Sequence, residues 1–115
     1  MNLILTLSVV LIGLVIIIGF VMFFRLKSGK KVSNTYRIFH GVFALLGALI
    51  VLIAALMGES KLWTNIIIAT VIACLGLIMV FGKIEKSSRK VILFVHASLA
   101  IICYGIFIYV TYFVN

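Results

Sequence analysis

YRIFHGVFALLGALIVLIAALM, residues 36–57, decides what kind of protein this is. The run carries one formal charge, Arg37, at its very start, and one histidine, His40, within its first turns; no proline interrupts it. It exceeds the ~20 apolar residues that an α-helix needs to cross a bilayer core. In hydrocarbon each backbone N–H and C=O must be satisfied within the chain, so a helix is the form such a segment takes.

The same pattern repeats on both sides. Upstream lies a basic segment holding Arg25, Lys27, Lys30 and Lys31 with Ser28, Gly29, Ser33 and Asn34, preceded by an apolar run over 3–24. Downstream, Gly58-Glu59-Ser60-Lys61 forms a short turn, with Trp63 as an interfacial anchor, and leads into a third run over 64–82. A second basic segment, Lys83 to Lys90, precedes a fourth run over 91–114, with Tyr109 and Tyr112 near its far end. Helices are thus predicted over 3–24, 36–57, 64–82 and 91–114. Joined by short loops, they form an all-α, up-down-up-down four-helix bundle in the membrane, a single transmembrane domain over 1–115. The first run lacks a basic start and a small-residue cleavage site before Arg25, so it reads as a retained helix rather than a signal peptide.

Composition agrees. Of 115 residues 66% are hydrophobic and 10% charged, and mean hydropathy is +1.44, against the roughly 25% charged residues of a soluble domain. The net charge of +8 does not indicate nucleic acid. Of the ten Lys and Arg residues, all but Lys61 fall in the two basic segments between apolar runs, Arg37 at the edge of the first. This is the positive-inside pattern, and it sets both basic loops in the cytoplasm and both termini outside, in the reading of a bacterial cytoplasmic membrane protein. Hydrolytic chemistry lacks its parts: there is no Asp, and Glu59 and Glu85, the two acids, lie in loops. Cys74 and Cys103 form no CxxC pair and read as small packing residues.

The two histidines occupy matching places. His40 and His96 each follow a basic loop by a few residues, 56 positions apart. The segment Phe23-Phe24-Arg25-Leu26-Lys27-Ser28 resembles Val80-Phe81-Gly82-Lys83-Ile84-Glu85-Lys86-Ser87. His40, Ala44 and Gly47 stand at i, i+4 and i+7, as do His96, Ala100 and Cys103, and such residues share a helix face. An internal two-helix repeat follows, with a twofold axis along the membrane normal. Intramembrane polar side chains are expensive and face the protein interior. Two imidazoles at one depth, on helices running the same way, suit the two axial positions of a haem iron. Ligation from opposite faces needs backbones further apart than the ~8–10 Å of directly packed helices, which the diagonal of a four-helix bundle supplies. In that reading Ala44, Gly47, Ala100 and Cys103 clear space for the porphyrin; Ala69, Ala73 and Gly76 on the third helix, and Gly13 and Gly19 on the first, are further small residues. Arg37, Lys90 and Arg89 are placed to meet the propionates, and Tyr36 to donate a hydrogen bond. No CxxCH motif is present, so the expected cofactor is one non-covalent haem b per chain. Met79 offers a histidine–methionine variant.

On His40, His96, the small residues below them and the basic flanks, the chain resembles the b-type membrane cytochromes with a four-helix haem-binding core: small bacterial di-haem cytochromes and ascorbate-linked ferric reductases. The resemblance covers all four helices and is architectural. It implies electron transfer, with a quinol or a cytosolic donor and with ferric iron, a membrane partner subunit or a second copy of the chain as partner. Those families hold two haems on four histidines, and this chain has one pair. Two other readings stay open. One is a non-catalytic membrane subunit or assembly factor whose histidines serve packing. The other is a small histidine-dependent proton or metal transporter; the intramembrane glutamate of small multidrug exporters is missing.

The orientation is directly testable. With Cys74 and Cys103 replaced by serine, single cysteines at Ser28 and Ser87 should resist an impermeant thiol reagent added outside intact cells, and one at Ser60 should react. Outside labelling of positions 28 and 87 would reverse the topology.

Overall fold

The computed structural model describes residues 3–114. It is all-helical: α1 spans Leu3–Lys27, α2 Asn34–Leu56, α3 Trp63–Phe81 and α4 Lys86–Tyr112, with a single 3-10 turn over Ser60–Leu62 before α3. All four helices are long and apolar enough to cross a membrane. The chain is a multi-pass integral membrane protein.

The helices outrun the apolar stretches at their basic ends. α1 continues through Arg25 and Lys27, α2 begins at Asn34, and α4 begins at Lys86, so Arg89 and Lys90 lie inside α4 rather than before it. Hydropathy marks what lipid can cover, whereas a helix continues as long as its backbone bonds are satisfied, and Lys and Arg are good helix formers. Glu85 takes the extended N-cap position of α4, and only Gly82 to Glu85 remain to connect α3 with α4.

Three helix ends show how the connections are built. α1 closes on Gly29, at φ +75°, where Lys30 N–H donates to Arg25 O (2.9 Å) and Gly29 N–H to Leu26 O (3.1 Å). α2 closes in the same way on Gly58, at φ +116°, through Glu59 N–H to Ala54 O (3.1 Å) and Gly58 N–H to Ala55 O (3.2 Å). These are Schellman closures, and their positive φ favours glycine. α3 ends differently. Gly82 is extended, and a Cβ there would collide with Ile78 O. The Arg89 guanidinium reaches back from α4 to donate to the carbonyls of Met79 and Gly82, capping the last turn of α3 with a cation.

The chain divides into two compact units, 1–60 and 61–115. In the first, α1 packs on α2; in the second, α3 packs on α4. Each is a helical hairpin with a narrow buried seam. The buried residues of the first unit include Leu5, Ser8, Gly47, Val51 and Ala55; those of the second are Leu62, Asn65, Phe107 and Thr111. Adding 57 to an α1 position and 56 to an α2 position converts four of the first set into the second: Leu5 into Leu62, Ser8 into Asn65, Val51 into Phe107, Ala55 into Thr111; Gly47 corresponds to the half-buried Cys103. Leu5 and Leu62 are both 0% exposed. The remaining large apolar side chains lie largely outside the seams, as lipid-facing surface does. Lys61 Nζ donates to Val114 O (2.7 Å), joining the start of the second hairpin to its end.

Gly47 shows how tight the first seam is. A Cβ there would sit 2.8 Å from Ile12 Cγ1. Gly47→Ala is therefore expected to lower stability by about 1–3 kcal/mol, the usual cost of overpacking. Gly41→Ala, on the same helix with nothing within 4 Å of its Cβ, should be neutral or slightly stabilising. Thermal unfolding of the two variants in detergent compares them.

Candidate functional site

The two histidines are held alike. His40 Nδ1 lies 3.0 Å from the carbonyl oxygen of Val15 on α1, and His96 Nδ1 lies 2.9 Å from that of Ile72 on α3. A carbonyl only accepts, so each Nδ1 carries the proton and donates. In its neutral form each ring then has its lone pair on Nε2. Both rings are half-buried. Val15 and Ile72 are themselves 57 positions apart.

A glycine lies beside each ring. Four residues after Val15, at Gly19, an added Cβ would meet His40 Cε1 at 3.2 Å; four residues after Ile72, at Gly76, it would meet His96 Cε1 at 3.3 Å. Gly19 and Gly76 also obey the 57-residue offset. Histidine, carbonyl and glycine thus recur as a set, once per hairpin.

A second polar rung lies two turns before each carbonyl on α1 and α3. Ser8 Oγ–H donates to Gly47 O at 2.9 Å, and Asn65 Nδ2–H donates to Cys103 O at 2.9 Å. The acceptors correspond as the donors do. In the second hairpin the exchange is reciprocal: the Cys103 thiol donates to Asn65 O at 3.6 Å, and Asn65 Nδ2 also approaches Cys103 Sγ at 3.6 Å. Asn65 Oδ1 is buried with no hydrogen-bond partner among the described residues, as is Thr111 Oγ1.

The other residues singled out in the sequence fall as follows. Gly47 and Cys103 lie at the hairpin seams: Ile12 stands beside Gly47, and Asn65 bonds Cys103. Ala44 and Ala100 are half-buried, and Arg37 and Lys90 are exposed. The Arg25 guanidinium carbon lies over the Tyr36 ring, 5.9 Å from the ring centroid, and Tyr36 lines a shallow groove with Phe39 and Phe43. Arg89 is engaged at the end of α3. Met79 lends its carbonyl to Arg89. Among the described residues no cluster of three or more His, Cys, Asp and Glu forms a metal site. What the structure offers chemically is two imidazoles, each anchored through Nδ1 to a backbone acceptor. That is the arrangement by which proteins orient histidine ligands.

Sequence reading passed over Asn65, Ser8, Val15 and Ile72. Ser8 and Asn65 carried a signal, as polar residues inside apolar runs at the repeat offset. The carbonyls of Val15 and Ile72 carried none, because a backbone acceptor is the same in every residue.

Comparison of the chain with known protein families, with curated proteins and with solved structures finds no match.

The two hairpins make each other's controls. Asn65→Ser installs in the second the hydroxyl donor that Ser8 supplies in the first, and removes the unpartnered Oδ1. Its stability should stay within about 1 kcal/mol of the parent. Asn65→Ala removes the donor as well and is expected to cost roughly 0.6–2 kcal/mol, the range for interhelical bonds in membranes. Steric-trapping or denaturant measurements in micelles resolve the pair.

Proposed function

We propose that this chain is a b-type membrane cytochrome, with one haem b bound by His40 and His96 and one-electron transfer as its work. The observation that carries the reading is the identical setting of the two histidines, each with Nδ1–H tied to a carbonyl so that Nε2 holds the lone pair. The donor set fits the group: low-spin haem iron takes two neutral imidazoles, and a backbone acceptor behind each raises its basicity and fixes its orientation. When bound, the haem supplies a one-electron couple of its iron. The protein's part is to hold both ligands, and two histidine ligands leave no open coordination position, which favours electron transfer over oxygen binding.

The rest of the reading rests on the sequence. The four helices run up-down-up-down as a bundle in a bacterial cytoplasmic membrane, basic loops inside and termini outside. Arg37, Lys90 and Tyr36 lie on the cytoplasmic flank of the two histidines, where cations suit propionates and an anionic donor. Ala44 and Ala100, one turn below the ligands, leave room beside them. A quinol or a cytosolic reductant is the electron source; a membrane partner, a second copy of the chain or ferric iron is the acceptor. One histidine pair near one surface leaves much of a roughly 30 Å core uncrossed, so the electron is exchanged on the cytoplasmic half.

A second reading is favoured by the same bonds. Histidine-to-carbonyl contacts between helices are also what a non-catalytic membrane subunit would use for packing. The visible spectrum separates the two. Purified with haem available during expression, the protein should show a Soret band that shifts and sharp α and β bands that appear on dithionite reduction, without a carbon monoxide adduct. His40→Ala and His96→Ala should each abolish this low-spin spectrum. A protein without haem, or unchanged spectra in both variants, would leave the packing reading.

A further inference from the structure

The glycines beside the imidazoles do more than allow close packing. In an α-helix a side chain leans toward the N-terminus and covers the preceding turn. A side chain at position 19 would therefore lie over the carbonyl of Val15, and one at position 76 over that of Ile72. Each carbonyl has two lone pairs, one engaged by the helix's own N–H four residues on, which is the glycine's. The second lone pair is the one an outside donor can reach, provided nothing stands over it. In both hairpins the residue that would stand over it is glycine, and in both the histidine ring occupies the space: His40 Cε1 and Nδ1 come within 3.2 and 3.6 Å of the Cβ position at Gly19, and His96 Cε1 and Nδ1 within 3.3 and 3.8 Å of that at Gly76.

We propose that Gly19 and Gly76 are positioning residues for the two imidazoles: by uncovering the carbonyls of Val15 and Ile72 they let Nδ1–H bind there, and so set the tautomer and plane of each ring. The consequence for iron ligation rests on the haem reading above; the effect on the ring does not. Contacts of 3.2–3.3 Å are tight enough that a methyl group would force the ring to tilt or withdraw by a few tenths of an ångström, lengthening bonds now at 3.0 and 2.9 Å. Each glycine acts on its own histidine. The same chain supplies a control: Gly105 on α4 has nothing within 4 Å of its Cβ position, and an alanine there changes helix propensity without touching either ring.

The test uses the full chain in nanodiscs, reduced so that any low-spin haem iron is diamagnetic, with ¹⁵N-labelled histidine. In the parent, both rings should show a protonated, hydrogen-bonded Nδ1, and a cross-peak should link Gly19 Hα with His40 Hε1 and Gly76 Hα with His96 Hε1. Gly19→Ala should shift the ring nitrogens of His40 alone, and Gly76→Ala those of His96 alone; Gly105→Ala should shift neither. In the oxidised protein the first two variants should keep the low-spin spectrum while moving the largest electron-paramagnetic g-value, which depends on the ligand planes. Absence of both cross-peaks in the parent, or ring nitrogens indifferent to Gly19→Ala and Gly76→Ala, would overturn the proposal. The cross-peaks do not depend on how well the variants fold. A parent without haem that still shows the ring shifts would overturn the cytochrome reading and leave the glycines' role standing.

Discussion

A hydrogen-bond donor inside hydrocarbon has no water to fall back on, and in this protein the donors that matter are two imidazole N–H groups. Their only abundant acceptors in a lipid-embedded hairpin are carbonyls already committed to the helix ladder. Using one a second time requires that the neighbouring helix leave its second lone pair uncovered, and a glycine four residues on does that. The bond from His40 to Val15 therefore depends on Gly19, and that from His96 to Ile72 on Gly76. This constraint ties each hairpin together, toward its loop end, at a polar contact, where two greasy surfaces alone have little reason to choose each other over lipid.

The second rung makes the pairing specific along its length. Ser8 and Asn65 lie two turns from the carbonyls that the histidines use, and each donates to α2 or α4 at equivalent sites. With polar contacts at two depths, sliding one helix past the other by a turn would strand both donors. Between and beyond the rungs the seams are filled by corresponding positions of different volume: Val51 becomes Phe107, Gly47 becomes Cys103 and Ala55 becomes Thr111. Larger residues on α4 accompany a looser neighbourhood in the second hairpin, and it is there that Asn65 Oδ1 and Thr111 Oγ1 stand without a hydrogen-bond partner among the described residues. The connections diverge as well. One hairpin turns on a Schellman glycine; the other has a shorter loop and caps its first helix with Arg89. The two halves agree where polar groups meet inside the apolar seam and differ where water can satisfy the backbone.

That distinction also explains what the sequence could tell. Number and order of helices were legible because the cost of exposing backbone in lipid leaves one solution for each run of ~20 apolar residues. Helix ends at Lys27, Asn34 and Lys86 were not, because they lie in water, where hydropathy is silent. His40 and His96 stood out as the only histidines. Gly19 and Gly76 were visible only as small residues among many; what sets them apart is the ring opposite, a tertiary fact. Gly47 and Cys103 share the histidine's face, as the i, i+7 spacing requires, but that face is the one turned to the hairpin partner, and their size is spent on Ile12 and Asn65.

In the proposed cytochrome the same constraint bears on electron transfer. A ligand that swings or changes tautomer between oxidation states adds reorganisation to each transfer, and a ring whose Nδ1 proton is held by a fixed carbonyl has neither freedom. The helix ladder is a good anchor for this purpose, since moving Val15 or Ile72 would break intrahelical bonds in a medium that offers no replacement. An imidazole bonded to a carboxylate would also be oriented, but the carboxylate would bring a charge into hydrocarbon, and among residues 3–114 the only acids are Glu59 and Glu85, outside the four helices. A neutral acceptor holds the ring without that charge. The pairing of carbonyl and glycine is therefore a way for a chain with almost no acidic residues to fix two histidines in a membrane.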